Sequence, residues 1–118
     1  MIVPASGVRV LIATKPVDFR KGMDGLAAVV RESLGADPYG GVIHVFRAKR
    51  ADRLKLLVFD GTGTVLATKW MEERKFAWPP VQGGVMRLTT TQLTMLLEGL
   101  GEWMQVAVKP TKRPTKVG

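Results

Sequence analysis

The sequence predicts an α+β domain, a small and mostly antiparallel sheet of four to five strands packed with two helices. Three observations point there. Apolar runs and helical spacing follow one another in the order strand, helix, three strands, helix. An Asp-Gly pair joins two of the runs as a hairpin, and the last helix opens on a complete capping signature. With 118 residues, 46% hydrophobic and 24% charged, the chain suits one folded domain. Residues 1–108 are read as that domain. Residues 109–118 form a basic, proline-punctuated tail with nothing to pack, expected to be disordered.

Taken in order, VRVLIA (8–13) reads as a strand, and TKPVDFRKG breaks it with Pro16 and Gly22. From Asp24 the spacing turns helical, with Leu26, Val29, Val30 and Leu34 on one stripe. Gly35 stands where a helix C-terminus favours a left-handed residue. After the turn ADPYGG, GVIHVF (41–46) alternates so weakly that it reads as a buried strand. LKLLVFD (54–60) is another, with Leu54, Leu56 and Val58 on one face and Leu57 and Phe59 on the other, and DGTG turns it back into TVLATKWM (64–71). EERKFAWPPVQGG reads as irregular. In LTTTQL, Thr89 is the N-cap and Gln92 the third helical residue, while Leu88 and Leu93 have the spacing of a hydrophobic staple. Leu93, Leu96, Leu97 and Leu100 continue the stripe of a helix running to about Gly99. Both helices are expected on one face of the sheet.

Charge is unevenly placed. The net charge is +8, yet residues 1–46 and 56–108 are nearly neutral. The surplus lies in FRAKRADRLK and in the tail. Arg47, Lys49, Arg50, Arg53 and Lys55 fall within nine positions, and Arg20 and Lys21 form a second, smaller cluster. Such a block suits an anionic partner, and its plain alternative is a solvated strand edge defended by charge. Were five of these cations on phosphates, log affinity would fall against log salt with a slope of about −4 to −5. KFAWPP (75–80) offers Phe76 and Trp78 on one side of an extended segment. They read first as a cover for the sheet end and second as a partner-binding surface.

Catalytic chemistry finds little support. The chain has no cysteine, so thiolate metal sites and a cysteine nucleophile are excluded. His44 lies inside an apolar strand and reads as structural, and neither Ser6 nor Ser33 has a nucleophile elbow around it. Asp18, Asp24, Asp52 and Asp60 are the candidates for a metal-dependent nuclease. Asp24 as a helix cap, Asp52 as a partner of Arg50 or Arg53, and Asp60 as a turn residue are the simpler roles. No phosphate loop, dinucleotide fingerprint or metal-ligand spacing occurs. Neither a cofactor nor a metal is expected, and the reading is a non-enzyme.

The motifs VDFRKGMDGLAAVV (17–30), VFRAKRADRLKLLVFDGTG (45–63), KFAWP (75–79) and LTTTQLTMLLEGL (88–100), in that order, carry a resemblance. They resemble the small accessory TnpB proteins of the insertion sequence 66 family of bacterial transposable elements, which are distinct from the RNA-guided nuclease sharing that name. The resemblance spans roughly residues 5–100. It implies a non-catalytic accessory factor for transposition, working beside a separate, larger transposase that carries the acidic catalytic triad. Arg20, Lys21, Asp24 and Gly25 fall in one shared motif, and Arg53, Lys55, Asp60 and Gly61 in another. Trp70 stands where a basic residue is common in the family.

The leading expectation is therefore electrostatic DNA binding through Arg20, Lys21, Arg47, Lys49, Arg50, Arg53 and Lys55, with element ends as a candidate target. The alternative is a protein-interaction module that docks on the transposase through Phe76 and Trp78 without touching DNA. No small-molecule substrate and no membrane partner are expected. No signal peptide follows Met1 and no run approaches membrane-spanning length, so a cytoplasmic location is expected, nucleoid-associated when bound to DNA.

Overall fold

The β-branched and leucine-rich runs pair into one sheet built from β1 (Val10–Ala13), β2 (Ile43–Arg47), β3 (Arg53–Phe59), β4 (Thr64–Trp70) and β5 (Val85–Leu88). Two helices, α1 (Met23–Glu32) and α2 (Thr90–Leu97), complete the element list. The structure, a computed structural model, describes residues 8–73, 75–80 and 84–101. The expected tail at 109–118 lies outside these residues. Strand order across the sheet is β4-β3-β2-β1-β5. Every neighbouring pair is antiparallel except β1 and β2. Those two run parallel because α1 carries the chain back between them, as a parallel pair requires. The α+β class and the mostly antiparallel sheet agree with the sequence.

The helices, however, sit on opposite faces. Val10, Ile12, Ile43, Val45, Leu54, Leu56 and Val58 pack with Leu88, Leu93, Leu96 and Phe76 on the α2 side. Ala13, Phe46 and Leu57 pack with Leu26, Ala27 and Val30 on the α1 side. The reason is visible in β2, whose Ile43, His44, Val45 and Phe46 are all buried. A strand that is apolar on both sides must be covered on both sides. Leaving Phe46 and Leu57 to water would forfeit about 1.5–3 kcal/mol for each side chain.

Strand β5 is the element that sequence reading did not single out. Its four residues stand directly before the capping signature of α2. They pair antiparallel with β1, Val10 opposite Leu88 and Ala13 opposite Val85. Thr14 N extends the ladder onto Gly84 O at 3.0 Å.

The helix ends follow local chemistry. In α2, Gln92 N donates to Thr89 Oγ1 at 3.0 Å and Thr89 N donates to Gln92 Oε1 at 2.7 Å, closing the capping box. Leu88 and Leu93 enter the same apolar cluster. At the far end, Lys69 Nζ donates to Leu97 O at 2.7 Å and satisfies a terminal carbonyl. In α1 the N-cap is Gly22, with no side-chain hydrogen bond, and Asp24 sits inside the first turn. Asp24 is thus not a cap. It acts on the positive end of the helix dipole instead. Gly35, with φ +64°, ends the turn beyond α1 as the sequence suggests.

Candidate nucleic-acid interface

One end of the sheet gathers the C-termini of β1, β2 and β4 with the N-terminus of β3. The segment leaving β1 does not project into solvent there. Val17 N donates to Arg47 O at 2.8 Å, drawing residues 14–22 across the end of β2. Lys55 then fixes the loop from below. Its Nζ donates to Phe19 O at 2.8 Å and Lys21 O at 3.2 Å, and lies 4.9 Å from the centre of the Phe19 ring. The two basic clusters of the sequence are therefore brought to the same end of the molecule. Lys55 achieves this as a tie between segments, its ammonium turned to backbone carbonyls.

The other cations divide by strand parity. Arg47 shares its side of β2 with Ile43 and Val45, on the α2 face. Its guanidinium lies 5.8 Å from the Trp78 ring and donates to Ala48 O at 3.0 Å and Lys49 O at 3.1 Å. Arg53 lies on the α1 face, 4.0 Å over the Trp70 ring and 3.6 Å from Asp52 Oδ1. Lys49 and Arg50 occupy the turn between β2 and β3. The block of five is consequently not one patch. Arg47 faces away from Arg53, Arg20 and Lys21.

Besides Arg53, two of the cations already hold carboxylates, each through hydrogen bonds. Arg20 forks onto Asp18, with Nε at 3.0 and 3.1 Å from its two oxygens and Nη2 at 2.7 Å. The side-chain hydrogen bonds from Arg20, aided by its backbone N–H, hold the Asp18 carboxyl well below the usual carboxylate range, and the Arg20 pKa is raised in return. The Arg20 side chain is nonetheless 91% exposed. Arg50 Nη2 donates to Asp52 Oδ2 at 2.8 Å. Partial burial pushes the Asp52 pKa up, but that hydrogen bond and the charges of Arg50 and Arg53 outweigh it and leave it lowered. The Asp52 role read from sequence is the one found.

Lys15, Lys21 and Lys49 are different. They are exposed and, among the described residues, their ammonium groups have no hydrogen-bond or ion-pair partner. Lys15 was missed in the sequence. It follows β1 at this same sheet end and, with Arg20 and Lys49, borders an open groove of about 740 Å³ floored by Pro16, Val17 and Ala48. The signal was its place in the same loop as Arg20 and Lys21.

Phe76 is buried, at 3% exposure, in the α2-side core, so its placement as a partner-binding residue is corrected. Phe76 N donates to Ala51 O at 2.6 Å and Met71 N to Asp52 O at 2.7 Å, which fold the segment after β4 back onto the β2–β3 turn. Trp78 packs half-buried against the same core beneath Arg47. KFAWPP covers the sheet end.

The remaining titratable groups are held locally. Asp60 Oδ1 accepts from Thr62 N, Thr62 Oγ1 and Gly63 N, each at 3.0 Å, and the two backbone N–H groups foremost lower its pKa. Gly61, at φ +101°, gives the turn its left-handed step. His44 is buried and, among the described residues, neither ring nitrogen has a partner; burial pushes its pKa down, against the pull of Asp37. Among the described residues no group of three or more His, Asp or Glu could hold a metal ion. What this end of the sheet offers chemically is fixed positive charge on a pinned loop and a tight turn.

A family model described as IS66 Orf2 like protein matches residues 8–107, beyond the reach of the motifs, which end at Leu100. The uncharacterized protein y4jC of Sinorhizobium fredii (strain NBRC 101917 / NGR234) is 52% identical over 117 residues, 99% of each chain. The uncharacterized protein y4hO of the same strain is 39% identical over 118 residues, the full length of both. No solved structure matches the chain.

Proposed function

We propose that the chain, which belongs to the IS66 Orf2-like family, has an accessory role in transposition and serves a separate transposase as a non-catalytic DNA-binding factor. The observation that carries this is the pinning of residues 14–22 by Lys55, which sets Lys15, Arg20 and Lys21 beside Lys49 and Arg50 on one end of the sheet. Phosphate contact needs several cations on rigid backbone, and this end supplies them. Cations of this kind, on a loop and a turn, suit backbone phosphates rather than base edges.

The contact set differs from the block read in sequence. Arg47 faces the opposite side and Lys55 is committed internally, while Lys15 joins. Three unpaired lysines and a share from Arg20 and Arg50 give a slope of log affinity against log salt of about −3 to −4. Fluorescence anisotropy of the full chain would test this, comparing element-end duplex with scrambled duplex over a salt series. Salt-steep binding to both supports a phosphate site, and preference for the end sequence makes the protein an end-recognition factor. Absence of binding at low salt overturns the reading. Capture of purified transposase in nuclease-treated buffer would then favour the docking module.

A further inference from the structure

Trp70 is the largest exposed apolar side chain among the described residues, at 60% exposure, and it stands at the cationic end of the sheet. It closes β4 opposite Arg53 in the β3–β4 register, so the two side chains share the α1 face. The Arg53 guanidinium lies 4.0 Å from the ring centre. Arg53 is itself held in place, only 23% exposed and 3.6 Å from Asp52 Oδ1. Backbone fixes the strand end just past the ring, where Met71 N donates to Asp52 O at 2.7 Å. With a cation on one face and most of its surface in water, the indole offers its other face to a ligand.

Charge decides which one. Lys21, Lys49 and Arg50 lie on the loop and turn at this end; of the carboxylates there, Asp18 and Asp52 are already bound to arginines, while Glu72 and Glu73 follow the ring on the exposed segment after β4, leaving the cations in excess. The occupant that is both anionic and flat is a nucleotide. A base inside a duplex cannot reach an indole without leaving its stack, so the fitting ligand has unpaired bases.

We propose that Trp70, backed by Arg53, is a stacking platform for an unpaired nucleobase, and that single-stranded DNA is the preferred ligand of this end of the sheet. The proposal rests on the phosphate-binding reading above and adds the strand state of the DNA. From Lys15 after β1 to Trp70 on β4 is three strand spacings, roughly 14 Å. A single strand crossing that width sets phosphates on the lysines while one base turns onto the indole. Every base has a π-face, so the contact tolerates any sequence.

The test is anisotropy of the full chain with a single-stranded oligonucleotide and with the duplex of the same sequence, for wild type, Trp70→Ala and Trp70→Phe. Circular dichroism would check that each variant is folded. The single strand is expected to bind more tightly than the duplex. Trp70→Ala is expected to weaken single-strand binding roughly five- to a hundred-fold while duplex affinity stays put, with Trp70→Phe in between. Tryptophan emission should fall on adding the single strand, less so in Trp70→Phe. Duplex binding with no single-strand preference and no effect of either variant overturns the platform and leaves the phosphate site standing. Failure to bind either DNA at low salt overturns both.

Discussion

Lys55 and His44 show how far a side chain's type can stand from its work. Lys55 sits in a basic run, yet its ammonium ties Phe19 and Lys21 carbonyls to β3. Lys55→Met should therefore act on the fold, costing about 1–3 kcal/mol by the usual worth of charged hydrogen bonds, read as a lowered urea midpoint. Lys49→Ala, which removes no internal contact of its ammonium, should leave that midpoint within about 0.5 kcal/mol. His44 is 1% exposed with two unpartnered nitrogens, and burial keeps its pKa below the ordinary 6.5. Above that value neither folded nor unfolded imidazole is protonated and pH has no hold through it. As pH falls below 6.5 the unfolded state takes up the proton first, so stability declines until the folded pKa is passed. Asp18, Asp52 and Asp60, lowered from 3.8, add a second decline beneath that value, when their protonation releases Arg20, Arg50 and the β3–β4 turn. Stability measured by urea unfolding across pH should show both declines, and His44→Leu should erase the first while raising neutral stability by about 1 kcal/mol. A flat profile between pH 7 and 5 in wild type would contradict the buried, neutral imidazole.

Among the elements, α2 was the most readable because its signal is purely local. A capping box and a staple are specified within six residues and need no partner strand to be recognised. Thr89→Ala should cost about 1 kcal/mol, seen as a lower melting temperature, while Thr89→Ser keeps the acceptor and most of the stability. β3 and β4 were equally plain, since Asp60-Gly61 marks their turn. β5 was not, and the reason is physical: VMRL has no alternation long enough to count, and only pairing with β1 makes it a strand. The same dependence on partners hid the layer order. Residues 43–46 announce burial on both faces, yet one strand cannot say which helix covers which face. Of the candidate site, the loop and the turn were readable as charge, whereas Lys15, the inward role of Lys55 and the burial of Phe76 follow from the fold of residues 14–22 and from the backbone bonds of Met71 and Phe76 to the β2–β3 turn.

For the molecule as a whole, the relevant property is where its charge of +8 goes once strands have faces. A sequence block is one-dimensional, and β2 and β3 divide it. Arg47 turns to Trp78 and the α2 face, Arg53 to Trp70 and the α1 face, with Lys49 and Arg50 at the tip. Electrostatic attraction to a polyanion therefore has a direction, set by the tip and the pinned loop together. The double variant Lys21→Glu, Lys49→Glu should weaken binding to every DNA sequence alike. It should also make the salt slope shallower by about two, one counterion per lost phosphate contact. Arg47→Gln should leave the slope nearly unchanged, because that guanidinium is stacked on the opposite face. The comparison is informative because all three residues carry the same charge, and only the fold, which turns Arg47 to the other face, distinguishes them. Equal loss on Arg47→Gln would mean that DNA wraps both faces of the sheet end. An unaltered slope in the lysine pair would move the anion site away from this end altogether.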